Sequence, residues 1–252
     1  MIRRCETGRS VRVVAIIQAR MGSTRLPGKV LKDLCGATVL ARVVNRTSRA
    51  TLLDEIVVAT TVKPADEAIV QECKRLSVAC FRGDEADVLD RYYCGAQNFS
   101  ADAIVRITSD CPLIDPEIVG KTVRAFLEEQ PDYASNTCVP TYPRGLDTEV
   151  MTFAALQSAW ANANHPYQRS HVTPYIYENP EKFRILSVMD DMDNSAHRWT
   201  VDTPEDLEFV RAVYSRFKDD RFLLSGVLAL MEREPQLAEI NREVEQKSLC
   251  EG

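Results

Sequence analysis

The chain has 252 residues, 45% of them hydrophobic, enough to bury a full core in one α/β domain, for which lengths of about 200–250 residues are common. A formal net charge of -6 excludes a broad nucleic-acid surface, which needs a dominant basic field; no apolar run reaches the roughly 20 residues that cross a bilayer, and polar Met1–Ser10 has no apolar stretch behind it, so a cytoplasmic protein without membrane contact is expected. Eight cysteines (Cys5, Cys35, Cys73, Cys80, Cys94, Cys111, Cys138 and Cys250) lie scattered with no CxxC pair, which argues against a zinc site or a disulfide framework.

Val11–Ile17 is a short β-branched run of the kind buried on both faces of a parallel sheet. A polar loop runs to Lys29, and Val39–Arg49 then places Val39, Leu40, Val43 and Val44 at helical spacing. A strand over Ile56–Thr60, a helix over Asp66–Leu76, a strand at Val78–Phe81, a helix over Val88–Asn98 and a strand over Ala103–Ile107 continue the alternation. That order implies βαβ crossovers and a three-layer α/β/α fold. Pro116 opens a helix to about Glu129, and Tyr133–Thr137 reads as a strand. Pro140, Pro143 and Gly145 then mark a loop. A short strand over Asp147–Met151 and a helix over Phe153–Ala163 follow, as a small late insertion that shapes a pocket. Val172–Glu178 reads as helical, Ile185–Val188 and Trp199–Val201 as strands, and Thr203-Pro-Glu-Asp206 as the capped start of a helix to about Arg216. The expected organisation is a flexible tail over 1–10, one domain over 11–233 and a charged tail over 234–252.

The loop Gln18-Ala19-Arg20-Met21-Gly22-Ser23-Thr24-Arg25-Leu26-Pro27-Gly28-Lys29 directly follows the first buried strand. Arg20 and Arg25 offer rigid forks for phosphate oxygens, Lys29 a compact charge, and Gly22 and Gly28 open backbone N–H groups to an anion. In an open parallel sheet, ligands sit beyond the carboxyl ends of the strands, where this loop falls. It is not a P-loop: five residues separate Gly22 from Gly28 where four are needed, and Val30 stands where Ser or Thr should bind magnesium. A solvated basic loop is the alternative.

Thr108-Ser109-Asp110-Cys111-Pro112 ends the strand Ala103–Ile107, and Pro112 forces the chain to turn, which projects Asp110 into the same crevice. Asp202 follows Trp199-Thr-Val far along the chain. Two such carboxylates suffice for Mg2+ or another divalent cation, which completes its shell with water and phosphate oxygens. The competing roles are a turn former for Asp110 and a helix cap for Asp202. Arg144, Asp147 and Glu149 lie near the expected pocket as candidate acceptor ligands. Arg169 and His171 read as structural or dimer-facing, and Asp190-Asp-Met-Asp193 as a solvated turn despite its literal DxD. Arg198 is expected to meet phosphate or that acidic turn.

Arg20-Met-Gly-Ser-Thr-Arg-Leu-Pro-Gly-Lys29, Ser109-Asp-Cys-Pro-Leu-Ile114 and Val201-Asp-Thr-Pro-Glu-Asp206 resemble the cytidylyltransferases that make CMP-activated sugar acids, in particular the SpsF-like branch of spore-coat-polysaccharide biosynthesis. The resemblance spans roughly 11–216. It implies a nucleotide-diphospho-sugar transferase fold (GT-A-like, Rossmann-like), CTP as donor, magnesium as cofactor and a homodimer. By position it implies that Arg20, Ser23, Arg25 and Lys29 form the triphosphate loop, Asp110 and Asp202 hold the metal, and Asp90 and Arg91 lie near the base. Leu89 departs from the threonine usual before such an Asp-Arg pair, and Gln18 from the proline usual in the sugar-acid synthetases.

The expected reaction is attack of a hydroxyl of a small sugar-type acceptor on the α-phosphate of CTP, with loss of pyrophosphate. Arg20, Lys29, Asp110 and Asp202 would be catalytic, with Gln18, Ala19, Gly22, Ser23, Arg25, Asp90, Arg91 and Ser109 completing the nucleotide site. The rivals are a GT-A-like glycosyltransferase with a sugar-nucleotide donor and a metal pair at Asp191 and Asp193, and a non-catalytic nucleotide-binding subunit.

Overall fold

The computed structural model describes residues 10–246; the expected N-terminal tail apart from Ser10, and residues 247–252 of the expected C-terminal tail, lie outside them. The chain runs β1 (Val13–Gln18), α1 (Val39–Thr47), β2 (Glu55–Thr61), α2 (Glu67–Leu76), β3 (Ala79–Gly83), α3 (Val88–Asn98), β4 (Ala103–Thr108), α4 (Pro116–Glu129), β5 (Tyr133–Ser135), β6 (Glu149–Thr152), α5 (Phe153–Asn162), α6 (Pro166–His171), α7 (Pro174–Tyr177), β7 (Ile185–Ser187), α8 (Pro204–Tyr214) and α9 (Leu224–Arg233). The seven strands form one sheet in the order β3-β2-β1-β4-β6-β5-β7. The pairs β3–β2, β2–β1, β1–β4 and β5–β7 are parallel, whereas β6 runs antiparallel to both β4 and β5.

Two-residue periodicity assigns the side chains to two layers. Val13, Ala15, Ile17, Val105 and Ile107 pack against Leu40 and Val43 of α1, Ile69 of α2 and Val119 and Val123 of α4. Val14, Ile16, Ile104 and Met151 pack on the other face, against Leu89 and Tyr92 of α3 and Leu156 and Ala159 of α5. A third cluster joins Leu34, Leu113, Tyr142, Leu146, Trp199 and Val201 to α8 and α9. The six described cysteines are free thiols, and no described helix is long and apolar enough to cross a membrane.

Three expectations are corrected. Trp199–Val201 is not a strand of the sheet: Trp199 N–H donates to the Arg144 carbonyl (2.7 Å) and Val201 N–H to the Asp110 carbonyl (2.8 Å), so loops satisfy its backbone. Its apolar alternation serves the third cluster instead. The helix expected over Val172–Glu178 shrinks to α7 (Pro174–Tyr177), because Val172, at φ 74° and ψ -56°, ends α6 and breaks the chain before it. There the Thr173 N–H donates to the His171 carbonyl at 2.9 Å, a γ-turn that strains a β-branched residue. Finally, the chain does not leave the domain at residue 234. Helix α9 leads into a 3-10 turn over Pro235–Glu239, and Leu237 and Asn241 are 3% and 5% exposed.

Gly145 shows how tightly the late loop is held. It sits at φ 107°, and a Cβ there would lie 2.6 Å from the Trp199 carbonyl carbon. Gly145→Ala is therefore expected to cost more than ~1 kcal/mol, through both the left-handed backbone and the overlap. Urea denaturation checks this, and an unchanged midpoint contradicts it.

Candidate active site

The loop after β1 is a closed, plugged turn. The Met21 N–H donates to Asp66 Oδ1 at 2.7 Å, the Gly28 N–H donates to the Met21 carbonyl at 3.1 Å, and Leu26 is buried in the third cluster. Gly28 takes φ 67°, a left-handed conformation that glycine adopts without steric cost, and thereby starts the 3-10 turn at Lys29. Ser23 Oγ accepts from the Leu26 N–H at 3.4 Å. Gly22 and Arg20 are solvent-exposed, and among the described residues Arg20 has no ion-pair partner.

The far end of the loop meets both aspartates. Lys29 Nζ donates to Asp110 Oδ2 at 2.7 Å, Asp202 Oδ1 at 2.8 Å and the Val201 carbonyl at 2.8 Å. Asp202 Oδ2 meanwhile faces Arg25 at 3.1 Å and Arg198 at 2.9 Å. Two hard oxygens converging on one cation is an arrangement able to hold a divalent ion. Burial alone would raise the Asp110 carboxyl, but the charge and hydrogen bond of Lys29 outweigh it and bring it down to about 2. Burial likewise opposes the Lys29 ammonium, and the two carboxylates more than compensate, holding it above its ordinary value. Asp202 is not a helix cap: Thr203 Oγ1 accepts from the Asp206 N–H in that role. Nor is Asp110 a simple turn former, since its carboxylate is spent on Lys29.

The remaining candidates divide. Ser109 is buried at the β1–β4 seam, its N–H donating to the Gln18 carbonyl at 3.1 Å, and Ala19 is buried beside it. Gln18 Oε1 is a buried acceptor without a hydrogen-bond partner among the described residues. Arg91 is buried behind the loop, its Nη1 donating to the Asp84 carbonyl at 3.2 Å. Burial lowers its pKa, and Arg20 is among the charges acting on it. Asp90, half-buried on α3, accepts from the Trp160 indole N–H at 2.8 Å.

Arg144 is exposed, and its charge reaches the half-buried Asp147, whose carboxyl desolvation pushes up. Burial, with the charges of Asp110 and Asp147, raises the Cys111 thiol, whose Sγ lies 3.6 Å from Asp110 Oδ1. Glu149 is not available to an acceptor: it is 5% exposed, ion-paired with Arg106, and accepts from the Tyr133 hydroxyl and from Thr173 Oγ1 (2.6 Å). Arg169 pairs with Asp87 at the start of α3. The acidic turn is local, with Asp193 Oδ1 accepting from the Ser195 N–H at 2.9 Å, and Asp190 lining a separate cleft against α9. Arg198 pairs with Asp202 and Asp206 rather than with that turn.

Sequence reasoning missed two supports. Asp66 pins the loop at Met21 and accepts from the Thr61 hydroxyl, but after Pro64 it reads as an ordinary helix start. Asp206 lies inside a capping box whose pattern was visible, while its bonds to Arg198 and Asn241 depend on tertiary packing.

A basic loop at the carboxyl ends of parallel strands, facing two carboxylates, defines a nucleotidyltransferase of the GT-A-like, Rossmann-like type. The profile of the cytidylyltransferase family matches residues 14–240, and the chain belongs to that family. It is 32% identical over 234 residues to the spore coat polysaccharide biosynthesis protein SpsF of Bacillus subtilis (strain 168), covering 90% of this chain and 96% of SpsF. A cytidylyltransferase from Leptospira borgpetersenii serovar Hardjo-bovis (strain JB197) superposes with a TM-score of 0.88 at 33% identity, over 94% of this chain and 99% of that one. CMP:2-keto-3-deoxy-manno-octonic acid synthetase, in a structure complexed with CTP, shares the fold with a TM-score of 0.63 at 21% identity, over 81% of this chain and 99% of the synthetase.

The ion cluster predicts an acid-sensitive site. With its folded value lowered from 3.8 to about 2, Asp110 adds stability above pH 3.8 and loses it as the pH falls towards 2. Lys29, raised above 10.5, adds stability up to that pH and loses it in stronger alkali. In Lys29→Met the main opposition to the burial of Asp110 is lost, leaving the hydrogen bonds from Thr108 and the backbone, so its carboxyl is expected to titrate higher than in the wild-type protein. Carbon-13 titration of the aspartate carboxyls checks this; an unmoved Asp110 resonance contradicts the assignment.

Proposed function

We propose that the protein transfers CMP from CTP to a hydroxyl of a sugar or sugar acid and releases pyrophosphate, with Mg2+ or another divalent cation held by Asp110 and Asp202. The observation that carries this reading is the position of Lys29 Nζ, a cation 2.7 and 2.8 Å from the two carboxylates. The donor set fits Mg2+, which takes one or two protein carboxylates and fills its shell from water and phosphate. When bound, the metal would neutralise charge on the phosphate oxygens. Family membership supports cytidine as the base, as does the CTP-bound synthetase of the same fold. The named relatives support a sugar-type acceptor.

In this reading Arg20, Arg25 and Lys29 grip the triphosphate, with the backbone at Gly22 and Ser23 close beside it. Arg20, which has no ion pair among the described residues, is the most available of the three, and the flexible Lys29 stem can exchange a carboxylate oxygen for a phosphate oxygen. Gln18 and Ser109 line the seam between the strands that carry the loop and Asp110. Arg144 and Asp147 face the acceptor side, while Glu149 supports that side from within by fixing Arg106, Tyr133 and Thr173. The acceptor oxygen bonds to the α-phosphorus as its bond to the bridging oxygen breaks. Pyrophosphate leaves with the electron pair, and the hydroxyl proton passes to solvent. Positioning and charge stabilisation supply the rate, without a covalent nucleophile.

Asp110→Ala and Asp202→Ala are each expected to lower turnover by ~100-fold or more while the fold persists. Pyrophosphate release, measured with each nucleoside triphosphate against a panel of sugars and sugar acids, tests the reading. Release of a nucleoside phosphate from a sugar nucleotide would establish glycosyl transfer instead. Nucleotide binding without turnover across the panel would indicate a binding subunit.

A further inference from the structure

We propose that Asp206, Arg198 and Asn241 are positioning residues that present a single oxygen of Asp202 to the cation, and that the C-terminal segment is thereby part of the active site. The proposal rests on the cytidylyl-transfer reading, since it concerns the carboxylate assigned there to the metal. Asp206 is fully buried, and its two oxygens organise everything around Asp202. Its Oδ2 accepts from the backbone N–H of Asp202 at 2.9 Å and of Thr203 at 3.1 Å, and from Arg198 Nη2 at 3.0 Å. Its Oδ1 accepts from Arg198 Nε at 3.0 Å and Asn241 Nδ2 at 2.9 Å. Asn241 Nδ2 also donates to the Arg198 carbonyl at 3.1 Å, and Arg198 Nη1 reaches Gln246 Oε1 at 2.5 Å.

The electrostatic consequence follows from how Arg198 is shared. Facing Asp202 alone, this guanidinium would neutralise the carboxylate and compete with any cation for it. Asp206 takes the Nε edge and half of Nη2, so Asp202 Oδ2 is held at 2.9 Å without absorbing the full charge. With Arg25 also on Oδ2, at 3.1 Å, Oδ1 is the oxygen that points to Lys29. Asp206 also closes the capping box of α8, accepting from the Thr203 N–H while Thr203 Oγ1 accepts from the Asp206 N–H, but its bonds to Arg198 and Asn241 are no part of that cap. Asn241 holds the arrangement from outside, 35 residues further along. Partners that orient a metal-binding group govern its affinity as well as its geometry.

The test uses the full chain and two variants, Asp206→Asn and Asn241→Ala. Manganese binding is followed by electron paramagnetic resonance in the presence of CTP, alongside CTP affinity without metal, kcat, KM and thermal melting. Manganese affinity is expected to fall ~10-fold in each variant and kcat with it, while metal-free CTP affinity and KM for CTP change by less than about twofold. Manganese affinity within about twofold of wild type in the variants would overturn the proposal, as would a parallel loss of CTP and metal binding that simply follows the melting temperature. Should Asp206→Asn not fold, Asn241→Ala carries the measurement alone. Wild-type protein that binds no manganese with CTP would overturn the metal assignment itself, and the positioning role with it.

Discussion

One ammonium group organises this site. Lys29 Nζ joins Asp110, 81 residues away, to Asp202, 173 residues away. It does so where its own side chain is only 11% exposed. A charge so placed persists only when it is paired and hydrogen-bonded, and here it has two carboxylates and a carbonyl. Reciprocally, the ammonium offsets the repulsion between the two carboxylates that meet on it. The structure thus holds an oxygen-lined centre in which cations and carboxylates balance one another.

The sheet delivers two of the three partners directly. Gln18 lies opposite Thr108 in the parallel pairing of β1 with β4, so the basic loop and the Asp110 turn leave the sheet side by side. Asp202 arrives by another route. Its preceding segment is bonded backbone-to-backbone to Asp110 and to Arg144, with Gly145 allowing the contact because a side chain there would overlap the Trp199–Thr200 peptide. The two aspartates are therefore coupled through the main chain as well as through Lys29, and the late loop bearing Arg144 and Asp147 is stitched to the same stretch.

Glu149 shows how a plausible ligand becomes part of the frame. Its register opposite Arg106 in the antiparallel β4–β6 pair commits it to a buried ion pair, which Tyr133 and Thr173 complete. The strained turn at Val172 immediately precedes Thr173. Removing one member of such a pair strands the other charge in a poor dielectric, so the pair serves geometry more than binding. The expected strand over Asp147–Met151 already contained Glu149, but only its pairing with β4 shows that the carboxylate is spoken for.

The basic loop, Asp110 at the end of β4 and the alternation of strands and helices as far as α4 were legible because they depend on local patterns: β-branched runs, proline at helix starts, and clustered cations after a buried strand. These features determined the fold class and singled out Lys29 and Asp110, while the bonding of Lys29 to both Asp110 and Asp202 came only with the tertiary structure. Where contacts between distant segments decide, the sequence was silent or misleading. The apolar alternation of Trp199–Val201 has the period of a strand, yet its backbone bonds to loops; the charged composition after residue 234 suggests a tail, yet Asn241 is buried against Asp206. Periodicity reports which side chains are buried and composition reports average polarity. Neither specifies which backbone group or carboxylate stands opposite, and that pairing, settled only when the chain closes on itself, is what committed Glu149 to Arg106 and Asp90 to Trp160 and drew Arg198, Asp206 and Asn241 in around Asp202.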